Sequence, residues 1–266
     1  MKKILIIGKR GFIGTSLSSY LRKYYIISHK SFKDTIKIQS QINKYDYVIN
    51  TSINKNYIYK KYNKKFDNDL KIANLVTKSK TIYIFLSSRK IYEPKANIVE
   101  TSKLLPKSNY AKNKLMSEKK LKERLRNNVL ILRISNVIGD KKKIKKLHTT
   151  FIDTFFSNLR KGFIYDNKDD FKDFISIEKF CEIIKSIIKS NLKGTFNVSI
   201  GRKIYLEDLL SWLNKFNKKK YVKKTKNIKD DCFFLNNRKL MSKIKIKNSV
   251  SELREYCFKI SKKKFS

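Results

Sequence analysis

Proline is almost absent from this chain, two residues in 266, and glycine is scarce, seven in all. No proline-rich or glycine-rich linker divides it, so any boundary between parts falls inside continuous structure. Cysteine is limited to Cys181, Cys232 and Cys257, an odd number, far apart and without a Cys-x-x-Cys pair. That excludes a disulfide framework and a zinc site, and no metal is expected. The first apolar run, Ile4 to Ile7, is far shorter than a membrane span or the core of a signal peptide. A reduced, soluble, cytoplasmic protein with no membrane segment is the expectation.

Acidic residues are also few. Twenty-two Asp and Glu stand against 64 Lys and Arg, a net charge of +42. An excess of that size raises nucleic acid or an anionic membrane surface as a partner. Against this, the lysines are spread along the whole chain, and Ile, Asn, Tyr and Phe are abundant too, as an AT-rich coding bias produces. A solvated lysine-rich surface is the simpler reading, and nucleic acid is not the expected partner. The lysine runs at 141–146, 218–224 and 262–264 read as loops or a tail able to attract a phosphorylated ligand.

The few glycines are not scattered evenly. Gly8, Gly11 and Gly14 follow the apolar run at once, and Phe12, Ile13, Leu17 and Leu21 open a helix-periodic segment among them. Strand, glycine turn and helix in this order suit a dinucleotide. Glycines let the backbone approach a pyrophosphate, whose charge then meets the positive end of the helix. The spacing is Gly-x-x-Gly-x-x-Gly, not the better-known Gly-x-Gly-x-x-Gly, so its position after a clean strand gives it weight. Gly8, Arg10, Gly11, Phe12, Ile13 and Gly14 are the candidate contacts.

A second strand is expected over 24–28, and its end selects the dinucleotide. An acid there binds the ribose hydroxyls of NAD, whereas basic groups favour the 2′-phosphate of NADP. The segment reads Ser28-His29-Lys30, with Arg10 in the turn, which favours NADP(H). Asp34, at the expected distance from Gly14 but beyond the strand end, keeps NAD(H) open. Strands over 47–50 and 81–86 follow, the latter ending in Ser87-Ser88, with a long polar helix over 57–78 between them. Near-continuous apolar strands alternating with helices predict an α/β protein with a doubly wound parallel sheet. Gly8, Asn50 and Ser88 then share its carboxyl edge, where such sheets hold ligands.

A further helix over 106–126 carries Tyr110-Ala-Lys-Asn-Lys114 in its first turns. Tyrosine and lysine four apart share one helix face. Proton transfer needs that pairing, because a nearby ammonium stabilises tyrosinate and brings a phenol with a pKa near about 10 closer to working pH. A hydroxyl such as Ser88 can hold the oxygen that receives the proton. In a chain with 15 tyrosines and many lysines the motif is common. Its order after the glycine turn and the serine-ended strand makes it specific.

With these residues in place, the chain resembles the extended short-chain dehydrogenase/reductases that act on nucleotide sugars as epimerases, dehydratases and reductases. Gly8 to Gly14 resembles their cofactor turn, and Asn68 to Val76 their Asn-Val-x-Gly-Thr-x-Asn-Leu-Leu helix. Ser87-Ser88-Arg-Lys-Ile-Tyr92 is similar to Ser-Ser-x-x-Val-Tyr, and Arg133-Ile-Ser-Asn-Val-Ile-Gly139 to Arg-x-x-Asn-Val-Tyr-Gly. Lys172-Asp-Phe-Ile-Ser-Ile177 is similar to Arg-Asp-Phe-Ile-His-Val, and Gly194-Thr-Phe-Asn-Val198 to Gly-x-Tyr-Asn-Val. The resemblance implies a Rossmann dinucleotide-binding domain over 1–147. A smaller α/β substrate-binding lobe then comes mainly from 148–266, with 171–177 and 194–198 returning to the first domain. It implies catalytic roles for Ser88, Tyr110 and Lys114, cofactor contacts from His29, Lys30, Asn50, Asn68, Tyr110 and Lys114, and a homodimer through a helix pair near Tyr110. Ser88, Arg89, Lys90, Asn136, His148 and Lys172 fall on the nucleotide-sugar side.

Departures from the family pattern narrow the reaction. The 4,6-dehydratases carry an Asp-Glu pair directly after the catalytic hydroxyl residue, where this chain has Arg89 and Lys90. Dehydration is not expected. The basic turn and strand end resemble more closely GDP-fucose synthase and dTDP-4-dehydrorhamnose reductase, which reduce 4-keto sugars with NADPH. The catalytic cysteine of GDP-fucose synthase has its counterpart at Lys90, which puts 3,5-epimerisation in doubt, while His148 falls roughly where that enzyme's histidine lies. Lys172 replaces the family's phosphate-contacting arginine, keeping the charge and losing the bidentate fork. The expected activity is NADP(H)-dependent reduction of a 4-keto nucleotide sugar in glycan biosynthesis. A C4 epimerase holding NAD uses the same residues. An alternative of another class is a non-catalytic dinucleotide- or RNA-binding module, whose RNA affinity would fall steeply with salt.

Overall fold

The computed structural model describes residues 1–77, 80–139, 151–165, 169–224 and 231–266. The opening apolar run forms β1 (Lys3–Ile7), and the glycine turn hands the chain to α1 (Phe12–Leu21). β2 (Ile26–Lys30), α2 (Phe32–Lys37), β3 (Tyr47–Asn50), α3 (Lys55–Tyr59), α4 (Asn68–Leu75), β4 (Ile82–Ser88), α5 (Asn109–Leu125) and β5 (Val129–Ile134) follow. Then come β6 (Asn136–Ile138), α6 (Phe151–Arg160), β7 (Phe163–Tyr165), β8 (Phe171–Lys172), β9 (Phe174–Ser176), α7 (Ile177–Lys189) and β10 (Gly194–Val198). The chain ends through β11 (Ile204–Tyr205), α8 (Leu206–Asn214), β12 (Val222–Lys224), α9 (Arg238–Met241) and α10 (Val250–Phe265).

Six parallel strands make the central sheet, in the order β10-β5-β4-β3-β1-β2. Alternate residues of each strand feed opposite faces. Leu5, Ile7, Val48, Tyr83, Phe85 and Ile131 pack under Ile72 and Ala73 of α4 and Leu121 and Leu125 of α5. Ile4, Ile6, Ile49, Ile84 and Leu132 face the other way, onto Leu17 and Leu21 of α1 and Ile183, Ile184 and Ile187 of α7. This is the doubly wound, Rossmann-type α/β sheet that the sequence predicts, and burial on both faces is why its strands are apolar throughout. Strand order reverses at β1, which has β2 on one side and β3 on the other. The crevice between the carboxyl ends of β1 and β3 is therefore the place where such sheets hold ligands.

The remaining strands pair in twos: β6 with β9, β8 with β11, β7 with β12. Residues 171–176 accordingly lie outside the central sheet, although the sequence places their return there. Asn136, at the start of β6, takes them instead, its backbone and side-chain N–H groups both donating to the carbonyl of Asp173.

Other boundaries depart from the pattern for local reasons. The second strand runs over 26–30, not 24–28, because the N–H groups of Tyr24 and Tyr25 still bond to the Leu21 carbonyl. His29 and Lys30 are thus the last residues of β2. The polar helix expected over 57–78 is broken into α3, one 3₁₀ turn at Lys64–Phe66, and α4. Asn54, Asn63 and Asp67 each accept a backbone N–H at the start of one piece. Short polar side chains favour such caps over helix interiors, and lysines at 60, 61, 64 and 65 would repel along a continuous helix. Helix α5 begins at 109, not 106, where Ser108 caps it by accepting the Ala111 N–H. Among the described residues, no helix is long and apolar enough to cross a membrane.

Candidate active site

The crevice at the reversal of strand order is shaped by missing side chains. Gly8 has φ +117°, and a Cβ there would collide with Oγ1 of Thr51. A Cβ on Gly14 would strike the same hydroxyl and lie 2.7 Å from the Gly8 carbonyl oxygen. Thr51 is itself fixed, its hydroxyl and backbone N–H donating to the Ile7 carbonyl at 2.7 and 2.8 Å. The turn is thereby held from the residue just after β3, which the sequence motif does not mark. No side chain caps α1 and no acid stands in its first turn, so its leading N–H groups favour an anion. The ring of Phe12 occupies the space a Cβ on Gly139 would need, which anchors the start of the helix.

The end of β2 reaches this turn through the Gly8 N–H, which donates to the Lys30 carbonyl at 2.9 Å. Burial, then Arg22 and Lys9, holds the His29 imidazole below its ordinary pKa despite a hydrogen bond to the Gly8 backbone. Its Nε2 is buried with no partner among the described residues. Arg10 is exposed and Lys30 half-buried. Asp34 lies on α2, where its carboxylate accepts the Ser31 hydroxyl at 2.7 Å while Ser31 Oγ accepts the Asp34 N–H. The Ser31 hydrogen bond holds its carboxyl below the usual range. The acid serves the helix cap. A glycine cradle, an uncapped helix start and an orphaned imidazole nitrogen together fit a dinucleotide.

At the neighbouring carboxyl ends stand the proton-transfer candidates. Ser88 closes β4, and its Oγ accepts the Lys90 N–H at 3.3 Å. Tyr110 is half-buried on the first turn of α5, and its hydroxyl makes no hydrogen bond among the described residues. Lys114, one turn on, is only 7 % exposed. Its Nζ donates to the Leu86 carbonyl at 2.9 Å, lies 3.7 Å from Asp69 Oδ2 and stands 4.5 Å from the centre of the Phe85 ring. Asp69 is turned towards it by Asn50 and Tyr83, which donate to Oδ1 at 2.9 and 2.8 Å. Burial pushes the Asp69 carboxyl up, and Lys114 pulls it back. Asn50 also accepts from the N–H and hydroxyl of Ser52, whose Oγ accepts from Asn68 at 3.2 Å. Asn50, Asn68 and Lys114 therefore belong to one polar cluster whose hubs, Asp69 and Ser52, the sequence reading does not name. A signal for Asp69 exists, since with Ile72 and Ala73 it lies on the inward face of α4.

The other family-like segments build the frame. Ser87, Tyr92, Arg133 and Asn197 meet in one buried network around Glu118. Lys172 is half-buried on β8, and the Asn136 amide is tied to Asp173. His148 and the lysines at 141–146 lie outside the described residues. No cluster able to hold a metal occurs among the described residues.

Asp173 is fully buried, accepting the N–H groups of Ile200 at 3.1 Å and Leu235 at 3.0 Å. Burial pushes its carboxyl up from 3.8 to about 7. The folded state thus binds the proton more tightly than the unfolded chain, and the stability this gives is lost as pH rises through about 7. The melting-temperature difference between wild type and Asp173→Asn is expected to move against the wild type across that interval. A difference independent of pH would contradict this account.

A family model described as the NAD dependent epimerase/dehydratase family matches residues 4–199. No curated protein matches the chain. Among solved structures, UDP-N-acetylglucosamine 4-epimerase from Methanobrevibacter ruminantium M1, in complex with UDP-N-acetylmuramic acid, is similar at 19 % identity, with 98 % of this chain and 97 % of that one covered and a TM-score of 0.78. dTDP-glucose 4,6-dehydratase from Bacillus anthracis str. Ames, in complex with NAD, is similar at 15 % identity, 98 % and 96 % coverage and a TM-score of 0.78. A dTDP-4-dehydrorhamnose reductase from Clostridium acetobutylicum gives 18 %, 96 % and 98 %, and 0.76. At these identities the likeness is one of fold.

Proposed function

The chain belongs to the NAD-dependent epimerase/dehydratase family, and from that premise we propose that it is an NADP(H)-dependent reductase of a 4-keto nucleotide sugar. The observation that carries the choice is the cation Lys30 at the end of β2. His29 and Lys30 close the strand beside the glycine turn while Asp34, the acid that could bind a ribose diol, is committed to capping α2. Epimerases, dehydratases and reductases share this fold. Dehydration needs an acid and a base beside the sugar, and the residues following Ser88 are the cations Arg89 and Lys90.

In this reading Gly8, Gly11, Gly14 and the start of α1 hold the pyrophosphate, and Arg10, His29 and Lys30 receive the 2′-phosphate. A nicotinamide bound there supplies hydride exchange with the sugar carbonyl carbon. Ser88 orients the carbonyl oxygen, and Tyr110 gives it a proton. Lys114, held by Asp69 and the Leu86 carbonyl, stands one turn from Tyr110 on the same face of α5. Asn50 and Asn68 keep this edge of the sheet in register through Ser52.

Titration with NADPH, NADH and both oxidised forms at physiological salt tests the reading. Exchangeable NADPH is expected to bind at least about tenfold more tightly than NADH, and Lys30→Glu to reverse that preference, because a charge-assisted hydrogen bond to phosphate is lost and repulsion gained. NAD retained through purification, with no net oxidation during turnover, would instead identify a C4 epimerase. Binding of no dinucleotide would leave a non-catalytic module.

A further inference from the structure

The edge strand opposite β2 ends beside a second concave place. Strand β10 is separated from β1 by β5, β4 and β3, so its carboxyl end is not part of the crevice at the reversal of strand order. The loop that leaves it, residues 199–202, is fixed from behind. Asp173 accepts the Ile200 N–H at 3.1 Å, and the Ser199 carbonyl accepts the side-chain amides of Asn237 at 2.9 Å and Asn248 at 2.8 Å. Gly201 has φ +76°, and a Cβ there would lie 2.5 Å from Asn237 Oδ1, so the glycine lets that carboxamide lie against the loop. Between these segments is a pocket of about 150 Å³, with Ile200, Met241 and Ile246 on its apolar side. Asn237, Asn248, Arg202 and Arg238 make the polar side.

Both arginines are exposed, and neither guanidinium makes a hydrogen bond, ion pair or ring contact among the described residues. Among those residues no acid lines the pocket. Glu252, beyond Asn248, is held by Lys179 at 2.9 Å and caps α10, and Glu207, beyond Arg202, lies 3.7 Å from Lys223. Each carboxamide gives one of its two N–H groups to Ser199 and keeps the other. Two uncompensated forks and two spare amide donors around one hollow suit an oxyanion.

We propose that this pocket binds a phosphate monoester group, at a site that shares no lining residue with the dinucleotide crevice or with the edge around Ser88. Charge selects the ligand. A phosphate monoester carries about −1.5 to −2 at pH 7 and three acceptor oxygens, which matches two guanidinium groups, whereas a carboxylate brings a single charge. Room is sufficient, since one water needs only about 10–15 Å³ of such space. The group can arrive as inorganic phosphate or on a sugar, whose carbons would then meet Ile200, Met241 and Ile246.

Calorimetric titration of inorganic phosphate and of glucose 1-phosphate into the full-length protein saturated with NADPH, which fills the crevice, tests the site. Saturable binding is expected, and Arg202→Gln and Arg238→Gln should each weaken it about tenfold, the worth of one charge-assisted contact. Their dinucleotide affinity should stay at the wild-type value. Equal affinity for the two probes would show that the phosphate group alone is read, and tighter binding of glucose 1-phosphate that the apolar side takes part. Absence of saturable binding, or binding that both arginine variants leave unchanged, would overturn the site. Loss in Lys172→Gln with none in the arginine variants would overturn it too, moving the phosphate to the position expected for the substrate's diphosphate. Protein that binds no dinucleotide is titrated without it, and the arginine variants still decide.

Discussion

Replacing Tyr110 by phenylalanine is expected to lower turnover of the accepted sugar by about 10²–10⁴, the range that a positioned general acid contributes. Dinucleotide affinity should fall far less than turnover, since the glycine turn, α1 and the end of β2 are built without Tyr110. The variant is a clean one for a structural reason. The phenol makes no hydrogen bond among the described residues, so its loss leaves no described partner unmatched. Lys114→Met is not comparable, because it would strip Asp69 of its counter-ion at a site where both side chains are below a tenth exposed. Loss of activity there would mix chemistry with destabilisation. Steady-state kinetics of Tyr110→Phe, alongside cofactor titration, decide the matter. Turnover within about threefold of wild type would remove Tyr110 from the proton transfer, since general acids contribute far more.

How far the sequence reveals this arrangement depends on where each residue gets its instructions. Strands β1, β3 and β4 are legible because burial on both faces makes them largely apolar, a signal carried by consecutive residues. The glycine turn is legible for a similar reason, being local. Its lock is not, because Thr51 acts from 37 residues beyond Gly14, across the sheet, and the threonine has no motif of its own. The break in the helix expected over 57–78 is written locally, in Asn63 and Asp67, yet the apolar spacing of Leu70, Ile72 and Ala73 masks it. Asp69 shows the harder case. Its position on the inward face of α4 is visible, but its partners come from β3, β4 and α5, so its pairing with Lys114 requires the fold. Arg133 is the opposite. A single arginine inside Val129–Ile134, otherwise wholly apolar, announces a buried charge that must find an acid.

That arginine carries the second large expected effect. Arg133→Met should destabilise the protein by about 3–5 kcal/mol, measured as a loss in urea unfolding free energy, because it leaves Glu118 charged and buried without its partner. The pair is bidentate, with Arg133 Nη2 2.7 Å from Oε2 and Nε 3.1 Å from Oε1, and the side chains are 5 % and 2 % exposed. It is also a junction. Glu118 follows Tyr110 and Lys114 on the same face of α5 and accepts the Ser87 hydroxyl at 2.5 Å. Arg133 Nη1 donates to Tyr92 and to the Glu100 carbonyl, both at 2.8 Å, and Tyr92 passes the chain of bonds to Asn197 on β10. The network therefore ties α5 to β4, β5 and β10 at the residue preceding Ser88. Set against a total of about 5–15 kcal/mol for a typical domain, its rupture takes a large share of the stability. The double variant Arg133→Met, Glu118→Leu should recover most of the loss, since removing both charges also removes the unpaired one. A loss below about 1 kcal/mol in the single variant, or none recovered in the double, would show that the pair is not the constraint that holds this edge of the sheet. Recovery of stability without recovery of turnover would show the second role: Ser87 and Tyr92 flank Ser88, Arg89 and Lys90, so the same bonds that stabilise the sheet also place the hydroxyl proposed to orient the sugar carbonyl.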